Sequence, residues 1–297
     1  MKGCARSCLT GLLGFMAVIW TFHLWFRSLG LEIEGPRPGS IVVGFLSALS
    51  ISLLWSARGV LRHRDLLQGA VLGVPPVDGK WAGLSGTIRS SSPLISPISR
   101  TTAVAFKYRI YDTVGSGKSR HQVVHYEGTA LAPSTISTNL GSYRLLAVPE
   151  FDLDESAVES GAARRNAQAY IDATEFETQQ TAKERRQTVE REWTDDDGVF
   201  RRDRGGMGEA DLATCKFEEQ VVAQGEAVCV LGLYSEERRA IVPDPNWAHL
   251  TKIIRGDGEA GIRQLGSRAA KYAFAAFIFG AAAAGICFVV ITGRWAP

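Results

Sequence analysis

Hydrophobic positions along this chain gather into three unbroken blocks, and between the last two blocks into short alternating runs. The blocks are residues 9–26, 40–57 and 272–291, and none contains Asp, Glu, Lys or Arg. Each has about the ~20-residue length that a bilayer core requires of a helix. His23 is the only readily protonated side chain in them, near the end of its block. The first block ends in "FHLWFRS" without a small-residue cleavage pattern, so it reads as a retained anchor rather than a signal peptide. The expectation is a multi-pass integral membrane protein with three transmembrane helices.

From Lys80 onward the pattern changes to a period of two with turn punctuation. In "TTAVAFKYRIYD", Val104, Phe106, Tyr108 and Ile110 share one face while Lys107 and Arg109 share the other. "KWAGLSGTIRS", "HQVVHYEGTAL" and "GSYRLLAVP" read as further strands of an antiparallel sheet with one buried face. Residues 154–193 are rich in helix formers, with Ala163, Ala167, Tyr170 and Ile171 on one stripe that thins beyond Phe176. Residues 194–210 read as a flexible connection, and the stretch from Asn246 to Tyr272 as a short helix entering the last block. The expected fold class is α+β: an antiparallel β-rich domain over 80–265 with a long inserted helix at 154–193. A transmembrane hairpin at 9–57 and a last span at 272–291 anchor it.

Charge changes the picture only locally. The chain has 33 Lys+Arg against 31 Asp+Glu, which gives no electrostatic case for a nucleic-acid partner. Lys2, Arg6, Arg58, Arg62, Arg64, Arg263, Arg268 and Lys271 flank one side of the three blocks; Arg27, Arg37 and Arg294 flank the other. The positive-inside rule then places the large central region in the cytoplasm. Arg58, Arg62, Arg64, Arg263, Arg268 and Lys271 would face anionic lipid there, each contributing on the order of 1 kcal/mol. The five cysteines are scattered and suit a reducing compartment; Cys4 and Cys8, beside the first block, are candidates for acylation.

Legible chemistry is sparse. "VGSGKSRHQVVH" holds Gly117-Lys118-Ser119, the tail of a phosphate loop, but the first glycine position is Asp112 and no helix pattern follows. The same stretch has His121 and His125 at zinc-protease spacing, with Gln122 where the general base belongs. It reads instead as a hairpin joining two strands. The triple Asp at 195–197 lacks the alternation of a calcium loop, and Glu218 and Glu219 read as acids preceding a strand and decorating it. Neither a cofactor nor a metal site is expected, and no catalytic residue is assigned.

"GLSGTIRSSSPLISPISRTTAVAFKYRIYD", "YEGTALAPSTISTNLGSYRLLAVPE" and "FEEQVVAQGEAVCVLGLY", followed by a span after "IRQLGSRAAKY", resemble the GIDE family. These are the membrane-anchored mitochondrial and chloroplast E3 ubiquitin ligases, and the likeness is to their beside-a-membrane domain, over residues 83–291. The resemblance implies a β-rich domain held near a bilayer that engages other proteins. In the ligases a RING follows the last span; the six residues after Ile291 have no room for one. It therefore implies a relative carrying the membrane-side domain alone. The expected function is a non-catalytic, membrane-tethered interaction or scaffold module with membrane lipids and an unidentified protein as partners. The alternatives are an E3-like protein acting through another chain, and a membrane hydrolase whose site is assembled from distant residues. Pro93 and Pro97 make "SPLISPIS" a stiff exposed connection, with Leu94 and Ile95 as candidate contacts; Tyr170 and Phe176 are the candidates on the inserted helix. "FGAAAAG" in the last block is a candidate packing face for a homo-oligomer, although Gly280 and Gly285 stand five apart and miss the G-x-x-x-G spacing.

Overall fold

The computed structural model describes residues 38–115, 119–152, 156–157, 161–177, 198–205, 211–244 and 251–291, with Trp20, Thr21, Leu24 and Ser28. It divides into two compact units, Leu66–Gly261 and a second made of Met1–Asp65 with Ile262–Pro297. The fold class is α+β with a β-rich body, as expected.

Two sheets build the Leu66–Gly261 unit. The first contains β1 (Trp81–Ser90), β5 (Ser134–Thr138), β6 (Gly141–Leu145), β7 (Glu150–Asp152), β11 (Ala227–Ser235), β12 (Ala240–Val242) and β13 (Lys252–Arg255). β11 is long enough to hold β1 along one edge and both β13 and β12 along the other. Pairing of β12 with β6, β6 with β5 and β5 with β1 then closes a ring. Its interior is filled by Leu84, Ile88, Ile136, Leu145, Val228, Val230, Ile241 and Ile253, each almost wholly buried.

The second sheet has the order β8 (Ser156–Ala157), β10 (Lys216–Ala223), β3 (Thr102–Val114), β4 (His121–Leu131), β9 (Phe200–Gly205), with β2 (Leu94–Ile95) also on β3. One face sends Ala105, Leu131, Phe200 and Val222 into the ring's core. The other carries Phe106, Tyr108, Ile110 and Phe217 into a second core. That core is roofed by helix α2 (Gly161–Ala173) through Ala163, Ala167 and Tyr170. Val104 does not share the face of Phe106, because the register slips at this point: Ala105 pairs with Val222 but Ala103 with Ala223. The extra residue turns Val104 into the ring's core.

Helix α1 (Pro38–Val71) and helix α3 (Gly258–Ile291) each lend a few residues to this body. Leu67, wholly buried, sits beside Gly261, and Leu66 lies against Gly83. A Cβ at Gly83 would stand 2.8 Å from the Leu66 carbonyl oxygen, so helix and strand touch backbone to backbone. α3 starts where the Asp257 carboxylate accepts from the Ala260 amide at 2.8 Å, an N-cap.

The other unit pairs the remaining lengths of α1 and α3. Ser50 Oγ donates to the Ala276 carbonyl at 2.8 Å, a Cβ at Gly280 would meet Ser50 Oγ at 3.2 Å, and Gly266 lies beside Arg64. Ascending numbers on one helix meet descending numbers on the other, so the pair is antiparallel. Val43, Ser50 and Ala57 stand seven apart on α1, as do Ala269, Ala276 and Ala283 on α3, and of these all but Ser50 are buried. Small residues at heptad spacing let the two backbones approach closely. The large apolar side chains point away: Trp55 is 73% exposed, Phe277 72% and Phe274 66%.

Several expectations are corrected. The inserted helix spans Gly161–Ala173, not 154–193: after Ala173 the chain straightens, the Glu177 amide donates to the Asp203 carbonyl, and the edge of β9 captures the segment. Pairing with the sheet outweighs helix propensity there, and residues 178–197 lie outside the described residues. Part of the expected flexible connection is strand β9, and Lys252–Arg255, expected as helix, is strand β13. Of three expected spans, two are long and apolar enough among the described residues, within Val42–Val71 and Gly258–Val289. Most of the 9–26 block lies outside the described residues. The expected hairpin joining residues 103–112 to 121–130 is present, with Val114 opposite His121 and His125 at a bulge in β4.

Gly83→Ala should cost about 1–3 kcal/mol, since neither backbone can yield without repacking. Thermal unfolding in detergent should show it as a lowered midpoint, and an unchanged midpoint would mean that helix and strand are not in contact.

Candidate functional site

Register in the second sheet decides which side chains meet. Across the α2 face, Glu219 lies opposite Tyr108, Tyr108 opposite Gly128, and Gly128 opposite Asp203. Gly128 leaves a gap in this row, and the Tyr108 ring crosses it to reach β9. Its hydroxyl donates to Asp203 Oδ1 at 2.7 Å, where Tyr170 from α2 also donates at 2.9 Å. Arg201 Nε donates to the other oxygen at 2.8 Å and lies 5.0 Å over the Tyr170 ring. A Cβ at position 128 would fall 2.4 Å from Asp203 Oδ1, so no other residue fits.

This knot ties strand, edge strand and helix through one buried carboxylate. Burial, then the negative charge of Asp203, pushes the Tyr170 phenol up to about 12, with Arg201 pulling the other way. The same two causes hold Tyr108 far above the ordinary phenol range. Both hydroxyls therefore stay protonated donors. Beside the knot, Ala173, Thr174, Glu175 and Glu177 border an open cleft of about 290 Å3 whose floor is Arg201 and Asp203.

At the row's other end, Glu219 is buried and faces the 96–99 turn. Its oxygens accept the Ile98 amide at 2.8 Å and the Ser99 amide at 2.9 Å, with the Ser96 hydroxyl at 3.4 Å. Asn166 of α2 donates to the Ile98 carbonyl at 2.9 Å. A carboxylate accepting two backbone amides replaces the water they would otherwise bind. Glu219 is thus a fastening inside β10 rather than an ornament before a strand. Glu218, in the same strand, accepts from the Tyr111 hydroxyl and pairs with Arg109 at 3.7 Å.

The four candidate contact residues separate accordingly. Ile95 is half exposed, beside a turn whose Ser96, Pro97 and Ile98 are buried, so the connection is anchored rather than loosely exposed. Leu94 packs into the second core. Tyr170 is drawn inward by Asp203, and Phe176 turns onto Tyr126 with ring centroids 4.9 Å apart. Neither projects from the helix. Arg58, Arg62, Arg263 and Lys271 are exposed on α1 and α3, while Arg64 and Arg268 are half-buried.

Asp203, Gly128 and Glu219 were missed in the sequence. Asp203 sits in "FRRDRGG" after three consecutive acids, a context that reads as solvated loop. The available signal was the alternation Phe200-Arg202-Arg204 against Arg201-Asp203. Among the described residues no three His, Cys, Asp or Glu side chains are placed to hold one metal ion. Comparison with family models, with curated proteins and with solved structures returned no match in any of the three.

Asp203→Ala would strand two buried hydroxyls and an arginine; at ~1–3 kcal/mol per orphaned group it should cost at least about 3 kcal/mol of unfolding free energy. The tyrosines give a pH signature. Their folded pKa values lie above the unfolded value near 10, so their stabilisation is complete below that pH and lost as pH rises toward about 12. The melting midpoint should fall over this window in the wild type and fall less in the Tyr108→Phe/Tyr170→Phe double variant. Equal slopes would place the titrating groups elsewhere.

Proposed function

We propose that this protein is a non-catalytic, membrane-tethered protein-interaction module of the GIDE type. Its β-rich body is held on the cytoplasmic side of a bilayer by α1, α3 and the 9–26 segment. One observation carries the reading: the α1–α3 pair is packed inside out. Alanine, serine and glycine, with Val43, fill its seam, while Phe274, Phe277, Phe288, Leu54 and Trp55 face outward. In water that arrangement exposes the residues that gain most from burial. In lipid it costs nothing, and small-residue seams bring helices together there.

The body supports an interaction role through rigidity. The Asp203 knot and the Glu219 turn consume their polar groups in internal bonds that fix α2 and the 96–99 turn on the sheet. Ile95 is then an apolar side chain held in place at an edge, with little ordering entropy left to lose on contact. The GIDE-like order of strands and turns quoted above adds the kind of role: engaging other proteins next to a membrane. The six basic residues at 58, 62, 64, 263, 268 and 271 suit the anionic headgroups of an inner face.

Full-length protein expressed in its host should stay with the membrane pellet after alkaline carbonate washing. A cysteine introduced in the turn at Glu237 should react with an impermeant maleimide only after the cells are opened. Release by carbonate would rule out the spans, and labelling of intact cells would reverse the orientation.

A further inference from the structure

The seam that α1 offers to α3 is small or apolar at each heptad step but one. Val43, Ser50 and Ala57 are followed, seven residues on, by Arg64. Its stem lies over Gly266 of α3, where a Cβ would stand 3.9 Å from Arg64 Cδ, in ordinary contact. Both residues belong to the unit made of Met1–Asp65 with Ile262–Pro297. Arg64 Nε is screened from solvent and has no hydrogen-bond partner. Among the described residues, no carboxylate lies within ion-pair distance of its guanidinium. Buried donors and charges are normally matched, so this one stands out.

Its place along the helices says what can reach it. Ser50 is level with Ala276 through their hydrogen bond. At ~1.5 Å per residue, Arg64 stands ~21 Å beyond that level on α1, and Gly266 ~15 Å beyond it on α3. The arginine closes the difference by leaning toward the start of its own helix, as helical side chains do, and here that is toward the bilayer. The charge-free blocks stop at Ala57 and resume at Tyr272, ~10 Å and ~6 Å from the same level. Arg64 Cδ beside Gly266 is therefore roughly 5–9 Å outside the hydrocarbon, overlapping the ~5–7 Å layer that headgroups occupy. Residues 58–65 and 262–271 add Arg58, Arg62, Arg263, Arg268 and Lys271, against one acid, Asp65.

We propose that the headgroup-level mouth of this seam binds one anionic glycerophospholipid, whose phosphate takes the Nε and Nη donors of Arg64 over Gly266. The edge formed by Nε and one Nη is a pair of parallel donors that the two free oxygens of a phosphodiester match. The surplus of cations nearby favours a headgroup with net negative charge over a zwitterionic one carrying the same phosphodiester. A lipid also brings acyl chains, for which the outward-facing Trp55 and Phe274 offer apolar surface; a soluble phosphate would have polar contacts alone.

This inference rests on the tether reading and names the lipid that the tether would hold, but the two fail separately. The full chain in detergent is mixed with dioleoyl phosphatidylglycerol or dioleoyl phosphatidylcholine, and bound lipid is counted by native mass spectrometry. The wild type should keep one phosphatidylglycerol, at least about tenfold in preference to phosphatidylcholine. Arg64→Gln should lower that retention about tenfold, and Arg64→Lys should not restore it. Arg62→Gln, which removes the same charge from an exposed position, should lower it no more than about threefold. Equal retention of the two lipids overturns the proposal. So does an equal loss in Arg62→Gln and Arg64→Gln, the mark of diffuse charge without a site. Full retention in Arg64→Lys overturns the paired-donor contact, and displacement by an equal concentration of glycerol 3-phosphate overturns the lipid source. A protein that resists carbonate yet keeps no anionic lipid loses the site and keeps its tether; release by carbonate removes the tether instead.

Discussion

The seat of the first helix end on the β-rich body depends on a contact with no side chain in it: the Leu66 backbone lying on Gly83. Glycine at 83 lets a helix end touch a strand, and Gly258 and Gly261 do the same for the other helix, against Ser85 and Val71 and against Cys229 and Leu67. Because β1 and β11 are paired along seven positions, fixing one helix end on β1 and the other beside β11 locates both ends on one patch. Larger residues at these three positions would lift the helices off the ring and open the core around Leu67.

A second economy runs through the polar interior. Buried carboxylates are costly unless they are paired or well hydrogen-bonded. Asp203 and Glu219 meet this by accepting three bonds each, from tyrosines and arginine in one case and from a turn's amides and hydroxyl in the other. They sit at the two ends of one cross-strand row and fasten different elements to it. The opposite face follows another rule: pairs of opposite sign where it is open to water, and apolar residues where it meets the ring.

How much of this was legible in the chain varied with the range of the determining interaction. The β3–β4 hairpin was readable because its period and its turn lie within one short stretch. The paired faces of Lys107 and Phe106 were readable for the same reason. Val104 was not, because its face depends on a bulge opposite β10, more than a hundred residues away. The length of α2 was overestimated: residues 174–177 have helix-compatible side chains and were claimed by β9, which local propensity cannot see. Of the proposed contact residues, Tyr170 lies on the expected stripe with Ala163 and Ala167, which is real and turned to the core, whereas Phe176 lies beyond the helix and packs on Tyr126. Lys252–Arg255 looked helical beside an apolar block, yet β7 and β11 flank it on both edges.

The ring's closure also orders events in time. β1 cannot find its long partner until β11, about a hundred and forty residues later, has left the ribosome, and β7 waits for β13. Non-local pairings of this kind are slow to form, because loop entropy is spent before any contact repays it. During synthesis the first sheet's early strands are therefore open edges beside a helix already made. The body snaps shut only when residue 255 emerges, immediately ahead of α3. Completion of the β domain and delivery of the last apolar helix are consecutive steps of one biosynthetic moment.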